Sequence, residues 1–170
     1  IAEDLGTLRP EVLELRDHYN LKGMVIIENE FRPWENHLVE ASENSVTYPG
    51  THDNTTIIEW FEELDEEKQE AIKEFFEENG IENETLADDF FEYATSLESE
   101  YVIVSLADIL GLGGEARINE PATLNDKNWS FKLKELNGYK DKVEFLNKTI
   151  KENKKSPGRK YGKSKPKKHK

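Results

Sequence analysis

A chain of 170 residues with 36 acidic and 23 basic side chains, net charge −13, is long enough for one domain with a buried core. It has no cysteine, which excludes a disulfide framework and thiolate metal ligation, and no apolar run near the ~20 residues of a membrane span. Three Trp, six Tyr and eight Phe exclude a wholly disordered acidic chain.

The elements follow in chain order. Thr7 can cap a helix with Pro10 in its first turn, and Val12, Leu13, Leu15, Tyr19 and Leu21 recur at helical spacing until Gly23 stops it. Met24–Ile27 is a short continuous apolar run, as in a strand buried on both faces. Residues 29–44 are irregular, with at most one helical turn near Trp34–Ala41. Ser45–Tyr48 is a second strand, ended by Pro49-Gly50. A helical block begins at Ile57, Ile58, Trp60 and Phe61. Asp65 then leads a helix over Glu66–Asn79 with Ile72, Phe75 and Phe76 on one face and Gly80 as its stop. Thr85 leads another, marked by Leu86, Phe90, Phe91, Tyr93 and Leu97. Tyr101–Val104 is a third strand. Asp108 and Gly111–Gly114 follow it, and a lysine-rich amphipathic stretch runs from Asn128-Trp129 to about Asn153. There is no internal repeat. Short apolar strands alternating with helices imply an α/β fold with a parallel sheet.

The charge is uneven. From Lys154 to the end there are nine Lys and Arg and no acid, which leaves 14 basic against 36 acidic residues before it, a net of −22. The acidic body, residues 1–153, repels nucleic acid and anionic membrane. The basic tail, 154–170, is expected to be disordered and is the part that could attract either. No signal-peptide pattern is present, although the chain starts at Ile rather than Met, so the expected compartment is cytoplasmic.

Glu3, Glu28, Asp53 and Asp108 all lie at or just past strand ends, where β/α architectures carry their reactive residues. Two carboxylates brought together by a fold are the minimal equipment for cleaving a glycosidic bond. A general acid must hold its proton at working pH, which burial or a neighbouring carboxylate achieves; Glu3, at the end of a buried strand, suits that role. Asp4 beside it points to the other face and suits a cap on the turn into the first helix. His52-Asp53-Asn54 offers an anion and hydrogen-bonding groups to a polyol and its oxocarbenium-like transition state. The same residues suit a tight turn or helix cap, and Asp53, Asn54 and Asp108 are also a donor set for a hard cation. No EF-hand spacing supports the cation, and Gly111–Gly114 lacks the spacing and the Lys-Ser/Thr ending of a phosphate loop. From the residues alone these uses stay open, and neither metal nor cofactor is expected.

The motifs IAEDLG at 1–6, RPEV at 9–12, GM at 23–24, NSVTYPGTHDN at 44–54, Trp60, LADILGLGGEARINEP at 106–121 and Asn128-Trp129, in this order, resemble the C-terminal half of the 4-α-glucanotransferases, the amylomaltase or disproportionating-enzyme family, glycoside hydrolase family 77. The resemblance implies the C-terminal half, about strands 5–8, of a (β/α)8 TIM barrel. It also implies retaining transfer of α-1,4-glucan segments between maltooligosaccharides or starch and glycogen chains. Carried over by position, Glu3 is the general acid/base and Asp53 the transition-state stabiliser. His52 binds sugar next to the cleaved bond, and Asn54 completes the motif as a second substrate-binding residue.

The chain departs from the family pattern in four places. Leu38–Ser42 replaces a Pro-His-Asn-Tyr-like stretch, Ala107 stands before Asp108 in place of Gln, Thr55 follows Asn54 where Asp is frequent, and Glu28 stands where Gln is common. The nucleophilic aspartate belongs to a strand upstream of Ile1. The implied partners are therefore α-1,4-glucans, maltooligosaccharides and a separate N-terminal barrel half. The alternative is a non-catalytic fragment that binds through its basic tail. An open half-barrel is expected to expose apolar surface at its sheet edges and inner face.

Overall fold

Three parallel strands form the sheet, in the order β1 (Gly23–Ile26), β2 (Ser45–Tyr48), β3 (Tyr101–Val102). Gly23 pairs with Ser45 and Ile26 with Tyr48, and Val46 and Thr47 pair with Tyr101 and Val102. Parallel neighbours put the C-terminal ends of all three strands at one edge of the sheet. This is a computed structural model, and it describes residues 1–135, 138–154 and 161. The basic tail expected from residue 154 onward lies outside the described residues, apart from Lys154 and Tyr161.

The helices after β2 each start behind a capping side chain, at Asp65 and Thr85 as the sequence suggests and also at Thr56. Thr56, Asp65 and Thr85 lead α3 (Ile57–Glu63), α4 (Glu66–Glu78) and α5 (Leu86–Ser96), and each side chain accepts the backbone N–H three residues on. Such caps satisfy helix N–H groups that have no partner within the helix. The apolar faces of α4 and α5 converge on Phe31. Phe31, Phe75, Phe76, Phe90 and Tyr93 are all at most 2% exposed, and Phe31 lies 4.7 Å from Tyr93 and 5.1 Å from Phe75 between ring centroids. Val25 of β1 belongs to the same core. Tyr161 packs against Phe75 and Tyr93 and shares a hydrogen bond with Ser96.

Several boundaries differ from expectation. Ile27 leaves the strand to begin α2 (Ile27–Glu30), and one short turn follows at Pro33–Glu35. β3 ends at Val102 rather than Val104, because Ser105 caps a new helix, α6 (Leu106–Ile109), and draws the chain out of the ladder. Residues 1–5 meet the chain just before β1 through one backbone bond, Ala2 N–H to Lys22 C=O at 2.8 Å, and form no strand. The last helix, α7 (Tyr139–Asn153), begins well after Trp129, and Gly138 precedes it with φ of +75°. It packs on α5 through Phe145 and Phe91 and through Lys142, whose ammonium lies 2.6 Å from Asp88.

The first helix, α1 (Pro10–His18), has no side-chain cap, so Thr7 does not serve as one, and it ends before Gly23. None of its residues is buried. Val12, Leu15, Tyr19 and Leu21 are exposed, as are Ile1, Tyr101 and Ile103. The apolar spacing that predicts this helix is present, but nothing among the described residues covers its apolar side.

Candidate active site

A cleft of about 540 Å³ opens at the C-terminal ends of the strands. That size accommodates a small ligand. Its wall includes Glu3 and Leu5 from the N-terminal segment, Met24, Ile26 and Asn29 at the end of β1, Tyr48 and the whole of residues 50–56 after β2, and Ser105, Ala107 and Asp108 beyond β3. Glu3, His52, Asp53 and Asn54, which the sequence places fifty positions apart, therefore face one space. The parallel register makes this happen, because each lies just past the end of a strand or strand-like segment.

The loop after β2 is a fixed turn. Asn54 Oδ1 accepts the Thr51 N–H and the Thr51 hydroxyl, both at 2.9 Å, and the Asn54 N–H returns to Thr51 C=O at 3.1 Å. His52 and Asp53 at its tip are exposed. Asp53 Oδ1 accepts the Asn119 carboxamide N–H at 2.8 Å and lies 3.4 Å from His52 Nε2. Asn54 is thus the keystone of the turn, and Asp53 and His52 are presented by it.

Two nearby residues escaped sequence reasoning. Trp129 stands over His52 with ring centroids 5.3 Å apart, and its φ of +61° is a left-handed conformation that a bulky residue seldom adopts. Its N–H is tied to Ile118 C=O at 2.7 Å. Asn119 is the other. Both come from the segment after the Gly-rich stretch, and the only sequence signal was their place in the quoted motifs.

The acids at the strand ends have different fates. Glu3 is exposed, so the burial expected of it is not present. Asp4 does not cap α1: it accepts the Met24 N–H at 2.7 Å and pairs with Arg16, tying the N-terminal segment and α1 to β1. Its carboxylate occupies the space a side chain at Gly23 would need. Asp108 is buried, its Oδ1 accepting the Ile57 N–H at 2.9 Å and its Oδ2 the Ser105 hydroxyl at 2.8 Å. Burial raises its pKa above the ordinary value, against the pull of those two hydrogen bonds. With Asp108 joining α3 to α6 and Asp53 held by Asn119, the alternative cation set of Asp53, Asn54 and Asp108 is already engaged in protein contacts, and no group of three or more potential metal ligands occurs among the described residues.

Glu28 sits behind the wall of the cleft. Its carboxyl fills the space beside Gly50, and burial, reinforced by Asp108, raises its pKa to about 8. Asn54 and Arg117 pull in the other direction and lose.

The sequence profile of the 4-alpha-glucanotransferases matches residues 1–137. The chain belongs to the 4-alpha-glucanotransferase family. A 4-alpha-glucanotransferase of Synechocystis sp. is 34% identical over 148 residues, which are 82% of this chain and 28% of that protein. The chloroplastic/amyloplastic 4-alpha-glucanotransferase of Solanum tuberosum is 37% identical over 136 residues, 78% of this chain and 23% of that protein. The chain thus spans about a quarter of the length of these relatives. Its fold matches the amylomaltase from Streptococcus agalactiae, solved in complex with acarbose, with a TM-score of 0.78 at 24% identity over 93% of this chain and 32% of that one. A mixed α/β fold with a small parallel sheet is therefore shared with an amylomaltase. No helix among the described residues is long and apolar enough to cross a membrane.

Proposed function

We propose that this chain forms the C-terminal half of a (β/α)8 barrel and supplies two of the three carboxylates of a retaining 4-α-glucanotransferase acting on α-1,4-glucans and maltooligosaccharides in the cytoplasm. The observation that carries this reading is the shared cleft. Glu3, His52, Asp53 and Asn54 line one space at the C-terminal ends of parallel strands, in a chain of the glucanotransferase family. In a barrel such ends are where chemistry is done.

The roles are those the family resemblance implies, and the cleft gives each group a place to play them. Glu3, exposed in the cleft, gives a proton to the leaving glycosidic oxygen and later takes one from the acceptor hydroxyl. Asp53, fixed by Asn119 and the Thr51–Asn54 turn, places negative charge against the developing oxocarbenium ion. His52 and Trp129 form an edge against which a sugar ring can lie. The covalent intermediate needs a nucleophilic aspartate, which the resemblance assigns to a strand upstream of Ile1. A separate N-terminal half that supplied this strand would also cover the exposed apolar side of α1 and the Ile1–Tyr101–Ile103 surface.

Two outcomes test the reading. The isolated 170-residue protein is expected to show no maltotriose disproportionation above buffer; clear turnover would mean that the nucleophile lies within these residues. Trp129→Ala is expected to weaken maltotriose binding by up to about tenfold, the equivalent of one good aromatic contact. Calorimetric titration reads this directly, and unchanged affinity would remove Trp129 from the site.

A further inference from the structure

We propose that Glu28 is a positioning residue for the His52–Asp53–Asn54 loop: its neutral carboxyl, seated against Gly50 and facing Asn54, holds the turn that presents Asp53 to the cleft, and ionisation of that carboxyl releases it. The proposal rests on the reading of Asp53 as stabiliser for its functional meaning, but its structural content stands apart from any sugar.

The geometry is convergent. Glu28 is fastened to the start of the loop by its backbone, since its N–H donates to Pro49 C=O at 3.1 Å. Its side chain returns to the same place. A Cβ built on Gly50 would lie 2.2 Å from Glu28 Oε1 and 3.1 Å from Asn54 Cβ, so carboxyl, glycine and the keystone Asn54 meet at one point. Gly50 is required there because any side chain would take the carboxyl's place. Oε1 is buried and has no hydrogen-bond partner among the described residues. A buried, unpartnered oxygen of an ionised carboxylate is costly, whereas a neutral acid leaves far less charge uncompensated.

The surrounding charges favour the neutral form. Asp108 of α6 and Glu63 of α3 both oppose a negative charge on Glu28. Arg117 and the Asn54 carboxamide favour one, but burial outweighs them and keeps the proton on up to about pH 8. At neutral pH this acid therefore acts as an uncharged amide would, which suits a position where Gln is common in the family. Glu28 is behind the cleft wall and does not line it, so it acts through the loop and not on the sugar.

The linkage has a definite sign. A carboxyl whose folded pKa lies above its unfolded value contributes full stability below the unfolded value. That contribution is lost as pH rises to the folded pKa, here the window from about 4.5 to about 8. Within the window this one group makes unfolding more favourable by up to about tenfold per pH unit. Glu28→Gln removes that component while keeping shape and neutrality.

The test is NMR of the full chain across pH 5–9, with thermal unfolding in parallel, for wild type, Glu28→Gln and Glu28→Ala. In the wild type the Glu28 carboxyl carbon and the amides of Thr51–Asn54 are expected to move together with a midpoint well above the ordinary carboxylate range. In Glu28→Gln the loop amides lose the component that follows the Glu28 carboxyl, and the thermal midpoint falls less steeply with pH. In Glu28→Ala the loop amides shift at every pH. A Glu28 carboxyl titrating near the ordinary value, or loop amides that ignore its titration, would overturn the proposal. Maltotriose titration at pH 6 and 9 separates the two readings. Affinity that falls with pH in wild type but not in Glu28→Gln supports both. Loop titration without any maltotriose binding supports the positioning role and removes the glucan reading instead.

Discussion

Phe31→Ala is expected to destabilise the protein by about 3–5 kcal/mol, the usual loss for emptying a buried aromatic site. The side chain is fully buried, and four rings lie around it at centroid distances of 4.7 to 6.3 Å. Each well-placed ring pair adds about 0.5–1.5 kcal/mol beyond burial, and helices α4 and α5 cannot both close on the hole. Against a typical total of about 5–15 kcal/mol, such a loss removes a large part of the stability. The effect reaches the site, because Phe31 directly follows the turn Ile27–Glu30 that carries Glu28 and its buried ring anchors that turn in the core. Urea unfolding measures the loss, and Phe31→Leu, which keeps most of the volume, should recover much of it. A loss below about 1 kcal/mol for the alanine variant would show that the aromatic cluster is not the core of this fold.

The same core shows which features a sequence carries in plain sight. Asp65 and Thr85 precede apolar runs at helical spacing, and a cap acts within four residues, so both helix starts were legible. Ser45–Tyr48 was legible too, because Pro49-Gly50 ends it with purely local chemistry. The end of β3 was not: the apolar run Tyr101–Val104 continues past the point where Ser105 begins a helix, and two local signals compete there. The apolar spacing of α1 predicts the helix but not the exposure of Val12 and Leu15, since exposure depends on a surface the sequence pattern does not contain. For the site, the position of Glu28, Asp53 and Asp108 beyond strand ends was legible; the strand expected before Glu3 does not form, and the differing burial of the four acids was not legible. Asp108 is held by Ile57, and Glu28 is covered by Gly50 and Asn54, residues from other segments brought in by the fold. Trp129 over His52 was invisible for the same reason.

Grafting residues 1–137 into a relative, in place of the matching segment of the Synechocystis sp. 4-alpha-glucanotransferase, gives the largest expected effects. The chimera supplies an intact upstream half, and with it maltotriose disproportionation is expected to appear. In that context Glu3→Gln should lower the rate by about 10²–10⁴-fold, the range for losing a general acid/base. Asp53→Asn should lower it by about 10²–10³-fold, the range for losing one preorganised electrostatic contact to the transition state. A donor whose leaving group needs no proton distinguishes the two roles. With a maltosyl fluoride the departing fluoride does without the acid, so the formation of the glycosyl-enzyme should be largely restored in Glu3→Gln. Asp53→Asn should stay slow with the same donor, because the oxocarbenium charge develops whatever leaves. Equal rescue of both variants would overturn the assignment of separate roles. A folded chimera that stays inactive with every donor would mean that these two carboxylates, though they share a cleft, no longer belong to a working site.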